Sequence, residues 1–243
     1  MTATPATALL DAYGLTLGRH SVAAADAVAR AWWTFGNVDG PAAARFAGAA
    51  ARLGLSTRVT TANLTSAYLA RQVGLLAGVD PDGPVVIDPA DLATPVLRSG
   101  VTDEDLWARP VARTRGLLAE GEWWSVAMRH GEAAAREVIV TDIALAQRTA
   151  TRRSLTASGL VTGYRRVLTG RNCKLCTVAA DRVYHKADLM PIHTNCDCRV
   201  SAIVGAADPG GARNSAVIDL RAVEPAKVAV DHTTEIAPSL QEV

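Results

Sequence analysis

Residues 122–158 read EWWSVAMRHGEAAAREVIVTDIALAQRTATRRSLTAS, without a proline and with one glycine. Trp123, Val126, Ala127, Ala134, Val138, Ile139, Ile143, Ala144 and Leu145 recur at helical spacing, which predicts one long helix. Gly131 lies inside it, at a cost of about 1 kcal/mol relative to alanine. At about 1.5 Å per residue such a helix exceeds roughly 40 Å. It is a spine joining the N-terminal and C-terminal parts of the chain, and Gly159 and Gly163 end it.

The N-terminal part is rich in alanine, which favours helix over strand. Ser21 can cap a helix through Ala23, Ala27, Val28, Ala31 and Trp32. Asp39 with Pro41 opens a second that ends near Gly54, and Ser56 opens a third carrying Val59, Leu64, Tyr68, Leu69, Val73 and Leu76. Two Asp-Pro pairs and a glycine make residues 80–89 a loop. Thr102 with Asp105 forms a capping box for a helix that Pro110 should kink or split. Trp32-Trp33 and Trp123-Trp124 are adjacent pairs. Neighbours on a helix point about 100° apart, so one of each pair is expected in the core and the other at the surface.

Beyond the spine the pattern shifts from helical to alternating. Tyr164–Leu168, Val183–His185 and Arg199–Val204 are expected as short strands. Among them lie the chain's four cysteines, Cys173, Cys176, Cys196 and Cys198, with His193 just before the third. Two close pairs joined by a return of the chain are what a tetrahedral ion needs, and thiolate with imidazole suits Zn²⁺. A structural zinc takes four ligands, so Cys173, Cys176, His193, Cys196 and Cys198 offer one too many, with His185 a weaker sixth. A regular strand would put Cys196 and Cys198 on one face and favour four thiolates. The turn-forming run Thr194-Asn195-Cys196-Asp197 favours His193 with Cys173, Cys176 and Cys198 instead. Arg171, Lys174 and Arg199 would offset the thiolate charge. Two disulfides, or a reduced set of buried small side chains, are the alternatives. Disulfides need an oxidising compartment, and Met1–Leu10 lacks the basic and apolar runs of a secretory signal.

Composition adds bounds. The 243 residues suit one large domain or two small ones, and 49% apolar content allows a sizeable core. No apolar run is long enough to predict a membrane span. The overall charge is +1, but residues 145–200 hold ten basic and three acidic groups, net +7, between acidic flanks. Such an island can meet phosphate or an acidic partner. Arg152, Arg153, Arg165, Arg166 and Arg171 are the candidate contacts, with Tyr164 for a base. From Ala206 onward, Asp-Pro-Gly-Gly and scattered apolar residues predict an extended tail that orders against another surface. The expected fold is therefore mainly α: a helical N-terminal domain with a long connecting helix (1–158), a small α+β zinc knuckle (159–205) and a tail (206–243).

The run Arg171-Asn-Cys-Lys-Leu-Cys176, then Tyr184, then Pro191-Ile-His-Thr-Asn-Cys-Asp-Cys-Arg199 resembles the domain of phage Mu protein F-like minor head proteins. The matching positions are Arg171, Cys173, Cys176, Tyr184, His193, Cys196 and Cys198. Thr194 stands where the family usually has proline and Asp197 where it usually has arginine. The resemblance spans about 40 of the 243 residues, together with the order of helices, long helix and knuckle. It implies a non-enzymatic virion component, in the head interior or at the portal vertex and in the host cytoplasm during assembly. Portal protein, major capsid protein and packaged double-stranded DNA would be its partners, with no membrane.

Rival readings are a zinc-braced nucleic-acid binder, an HNH-type nuclease and a capsid maturation protease. A nuclease needs a general-base histidine beside a catalytic divalent ion. His193, Asn195 and Asp197 could be drafted, but no His–His or Asp–His pair lies near the cysteines. His-Glu-x-x-His and Gly-x-Ser-x-Gly are absent from the sequence, and His20, His130 and His232 stand in separate segments.

Overall fold

The computed structural model of this protein describes residues 4–168, 174–188, 198–211 and 214. The chain is mainly α-helical, with a single small sheet among these residues. Helix α1 spans Pro5–Phe35 and α2 spans Gly40–Ala77. Thr4 caps α1, its Oγ1 accepting from the Thr7 amide at 3.3 Å, and Pro5 fills the first turn, where its missing N–H is harmless. Ser21, expected as a cap, lies inside α1. Asp39 does cap α2, accepting from the Ala42 amide at 2.9 Å. The expected break at Gly54 is absent: α2 runs through it, and the missing side chain faces Trp107 and Asp142. That glycine serves packing between helices, not termination.

Tyr13 meets Tyr68, His20 meets the Thr57 carbonyl and Trp32 meets Phe46, so α1 and α2 run antiparallel. The loop through residue 88 leads into a short turn, Pro89–Leu92, capped by Asp88, and then α3, Thr94–Leu97. Helix α4 spans Asp103–Ala119 behind the predicted capping box, Thr102 Oγ1 accepting from the Asp105 amide at 3.1 Å. Pro110 does not split α4; it is buried inside it. Helix α5, Trp124–Ala157, is the predicted spine. It is also the centre of the body, packed against α1, α2 and α4.

Trp32, Phe46 and Trp107 form the apolar centre, with edge-to-face contacts at 4.9 and 6.1 Å between ring centroids. A Cβ on Gly131 would come within 2.2 Å of both Trp32 and the Thr114 hydroxyl, so only glycine lets α5 approach this closely. Trp33 is exposed while Trp32 is buried, as expected for one pair. Trp123 and Trp124 are both exposed, because Trp123 precedes the first turn of α5 and the chain has not yet met the bundle there.

α2 also carries a buried polar stripe of Thr57, Arg58, Thr61, Thr65, Ser66 and Gln72. Arg58 donates to Asp142 at 3.0 Å, and Arg98 donates to the other Asp142 oxygen at 2.7 and 2.9 Å. Burial pushes the Asp142 carboxyl up from its usual range, and the two guanidiniums pull against that shift.

The three predicted strands are all present: β1 Gly163–Val167, β2 Val183–Tyr184 and β3 Arg199–Ile203. They form an antiparallel sheet in the order β2-β1-β3. In register, Tyr164 faces Tyr184 on one side and Ala202 on the other. The outer edge of β3 does not face water. Tyr68 donates to the Val200 carbonyl at 2.9 Å, and Gln72 accepts from the Ala202 amide at 2.9 Å and donates to Ser201 Oγ at 3.0 Å. Side chains of α2 thus stand in for a fourth strand and satisfy the edge. Val161, Tyr164, Val167, Val200 and Ala202 join the same apolar cluster as Leu10, Tyr68 and Leu155. The sheet borrows its core from the helices.

The segment after β3 does not extend away at Ala206. Val204 bridges Ala207, Asp208 pairs with Arg165 at 2.8 Å, and Asn214 is buried. The rest of the predicted tail, 212–213 and 215–243, lies outside the described residues. No helix among the described residues is long and apolar enough to cross a membrane.

Candidate metal centre

Of the five predicted ligands, Cys176 and Cys198 are described and both are buried, at 2% and 3% exposure. Cys173, His193 and Cys196 lie outside the described residues, as does Arg171. Cys176 sits on the short helix α6, Lys174–Ala180, which packs against β1. Cys198 immediately precedes β3. Since Val167 pairs with Arg199 and Arg166 with Val200, Cys198 lies at the Val167 end of the sheet. Arg166, on β1 at that same end, donates from Nη1 to Cys176 Sγ at 3.2 Å. Cys176 is therefore brought against Arg166 by α6, and Cys198 stands just before β3.

Two aromatic rings fix α6 and the turn after β2. Tyr164 and Tyr184 stack with centroids 5.3 Å apart. Tyr184 donates to the Ala179 carbonyl at 3.1 Å and Tyr164 to the Asp188 carbonyl at 3.0 Å. Tyr164 is fully buried, and burial raises its phenol well above the ordinary range. It is a packing residue and not a platform for a base. His185 is exposed in the turn after β2, where its Nδ1 accepts from the Ala187 amide at 3.3 Å.

The predicted cationic contacts divide sharply. Arg166 is buried, with 1% exposure, facing Cys176. Arg165 is spent on structure, bonding Asp208 at 2.8 Å and the Ala180 and Asp181 carbonyls at 3.2 and 2.7 Å. Arg153 is at the surface of α5 and pairs with Asp91 at 2.9 Å. Arg152 is half-buried one turn beyond Arg148, whose guanidinium pKa is lowered by burial and by the like charge of Arg152. Arg199, expected to offset thiolate charge, reaches instead to α1 and donates to the Gly14 carbonyl at 2.7 Å. Lys174 is exposed.

The guanidinium at the sulfur is thus Arg166, a residue that the basic island suggests for the surface. Strand alternation says only that Arg165 and Arg166 point to opposite faces; which of them is buried is not readable from the sequence. Among the described residues no group of three or more His, Cys, Asp or Glu side chains comes together. Cys176 and Cys198 supply two buried sulfurs, the donor type that suits a soft ion such as Zn²⁺. Asn214 closes the assembly from the C-terminal side. Its amide donates to the Arg166 carbonyl at 2.7 Å and the Ala180 carbonyl at 3.1 Å, and its oxygen accepts from the Leu168 amide at 2.9 Å.

The other histidines form no shared centre among the described residues. His20 is half-buried on α1 against the Thr57 carbonyl, and His130 is exposed on α5. A cleft of about 280 Å³ lies between α2, the 79–85 loop and the end of α5, lined by Leu69, Val73, Pro81, Val85, Leu155 and Leu160. No protein-family model, no curated protein and no solved structure matches this chain.

Proposed function

We propose that the chain is a structural minor head protein of a tailed bacteriophage, of the Mu protein F-like kind, whose cysteine module is closed by one Zn²⁺. It rides in the head interior or at the portal vertex, contacts portal and major capsid protein, and aids head assembly or genome delivery without catalysing a reaction. The observation that supports this reading is that Cys176 and Cys198, one from each pair of the motif that bears the resemblance, are both buried, Cys198 at the Val167 end of the sheet and Cys176 against the guanidinium of Arg166. Zinc ligands Cys173, Cys176 and Cys198 with His193 or Cys196 complete a closed site, the form that holds structure together.

The buried polar seam between α2 and β3 fits this role too, because it makes module and helices one mechanical unit that can transmit a docking force. The test has two readouts on the full chain. Metal analysis of protein purified without chelator should give one equivalent of zinc. Co-expression with a candidate portal and capsid protein should place the chain in isolated heads. Zinc-loaded protein that never enters particles overturns the virion role. Protein that folds without metal overturns the zinc. Cleavage of DNA with Mg²⁺, abolished by Asp197→Ala in protein still holding zinc, would restore the nuclease reading.

The nucleic-acid alternative rests on fewer side chains than the sequence offered, since Arg165 and Arg166 are engaged within the protein. Arg152 and Arg153 remain at or near the surface. A tail deletion that tests docking should end after Asn214. Ending after Gly205 would also remove Asp208 and Asn214 and so would disturb β1 and α6.

A further inference from the structure

We propose that Arg148 and Arg152, one turn apart on α5, form an oxyanion site that clasps a backbone phosphate of double-stranded DNA; the choice of DNA rests on the virion reading above, whereas the site rests on the arginines alone. Both side chains are half-buried. The other buried or half-buried arginines among the described residues all have an acceptor. Arg58 and Arg98 share Asp142, Arg136 holds Asp26 and Glu132, Arg165 holds Asp208, Arg166 meets the Cys176 sulfur and Arg199 the Gly14 carbonyl. Among the described residues Arg148 and Arg152 make no ion pair and no hydrogen bond, and the Arg148 Nε is enclosed without an acceptor. Burying a guanidinium is costly unless an anion accompanies it. Residues four apart on a helix are neighbours, with about 5–6 Å between Cβ atoms, and like charges there repel. Burial and the charge of Arg152 accordingly lower the Arg148 guanidinium from its ordinary value. One oxyanion between the two guanidinium forks relieves both costs.

The surroundings suit a phosphate. Arg148, Arg152 and Thr156 form one row along α5. The turn after β2 meets the end of that row, where Thr156 donates to the Lys186 carbonyl at 3.3 Å and Lys186 donates to the Ser158 carbonyl at 2.9 Å. That turn brings a third cation, Lys186, to the row. Its carboxylate, Asp188, accepts from the His185 amide at 3.2 Å and pairs with neither arginine. Arg153, the next residue on α5, is held by Asp91 instead. Cations in a row suit a backbone with evenly spaced charge, about one per 3.4 Å along each DNA strand, better than a lone carboxylate.

The test follows binding of the full chain to a short DNA duplex by fluorescence anisotropy across a salt series. It compares the wild type, Arg148→Gln, Arg152→Gln, the double variant and Arg45→Gln, an exposed arginine near the start of α2. A hydrogen bond to a charged group corresponds to about 10–100-fold in affinity, and a loss of that size is expected in the double variant. Each phosphate contact contributes about 0.9 to the salt slope. The double variant's slope should fall by that amount, while Arg45→Gln changes neither quantity. Since neither arginine has a partner to lose, the double variant should melt at or above the wild-type temperature, which separates a binding role from a structural one. Wild-type affinity and slope in the double variant overturn the proposal, as does a wild type that binds no duplex. Polyglutamate bound more tightly than duplex overturns DNA as the occupant, as does inorganic phosphate that raises the melting temperature of a wild type indifferent to DNA. If a variant does not fold, the arginine Nε–H resonances of the wild type decide. Those of Arg148 and Arg152 should shift on adding duplex, and shifts confined to other arginines overturn the assignment. Heads that exclude the chain, while duplex binding still depends on both arginines, overturn the virion reading and leave the oxyanion site standing.

Discussion

The two ends of α2 are held by different physics. One end packs Phe46 edge-to-face between Trp32 and Trp107, where the contacts are mainly apolar. The other end presents Thr65, Tyr68 and Gln72 to α1 and to the open edge of β3, where the contacts are hydrogen bonds of 2.9–3.0 Å. An apolar centre is non-directional and says only that helices meet. A buried polar seam is directional, and a one-residue slip of β3 would leave Ala202 N–H and Val200 C=O without partners. The first region brings the helices together, and the second selects which edge and register of the sheet docks.

This comparison can be broken most forcefully at the apolar end. Trp107→Ala should cost about 3–5 kcal/mol and lower the chemical denaturation midpoint of helices and sheet together, because Trp107 and the strands share one cluster. Loss confined to the helices, followed by circular dichroism and by the Tyr164–Tyr184 absorbance, would show that the sheet stands alone. Gly131→Ala should come next, at about 1–3 kcal/mol for overpacking, since its Cβ would sit 2.2 Å from Trp32.

The polar end should respond to pH where the apolar end does not. Burial raises the Tyr13 phenol from 10.0 to about 12, with the Thr65 hydroxyl bond only partly opposing the shift. The folded state therefore holds this proton more tightly than the unfolded state. The contribution is fully present below pH 10 and is lost as pH rises towards about 12. A tenfold difference in proton affinity corresponds to about 1.4 kcal/mol, so a loss of about 2–3 kcal/mol is expected across that window. Urea midpoints at about pH 9 and about pH 11.5 measure it, and Tyr13→Phe should flatten the Tyr13 share of the slope. A slope unchanged by Tyr13→Phe would move the effect to Tyr68, whose phenol burial also raises.

Gln72→Leu keeps most of the volume but strips the β3 edge. Leaving the Ala202 amide unsatisfied should cost about 1–3 kcal/mol. Hydrogen exchange should quicken at Ala202 while amides around Trp32 keep their protection. The smallest effect is expected at the surface: Arg153→Ala breaks the pair with Asp91 and should change stability by about 0–1 kcal/mol. A larger change in a thermal melt would show that α5 needs that contact to hold the Pro89–Leu92 turn.

Much of the fold is legible without coordinates. The spine at α5, the Asp39 and Thr102 caps and the three strands come from local rules: apolar period, cap chemistry and alternation act within a few residues. The errors have a common origin. Ser21, Gly54 and Pro110 look like starts, stops and breaks, yet each lies inside a continuous helix, because burial against neighbouring helices outweighs a local propensity of about 1–3 kcal/mol. The cysteine positions marked the candidate centre, but which arginine lies against the Cys176 sulfur was not readable. Arg165, Arg166 and Arg199 are chemically alike in the sequence. The side of a strand, the reach of Asp208 and the proximity of Gly14 send each to a different partner.

By itself the sequence determined the mainly helical class, the position of the sheet and the pairing of cysteines that suits zinc, because these depend on spacing along the chain. The tertiary structure alone decided that α2 completes the edge of β3, that the chain after Gly205 returns to bury Asn214 and that Arg166 faces Cys176. These depend on groups 10 to 132 residues apart meeting where water is excluded and an unpaired polar atom is costly.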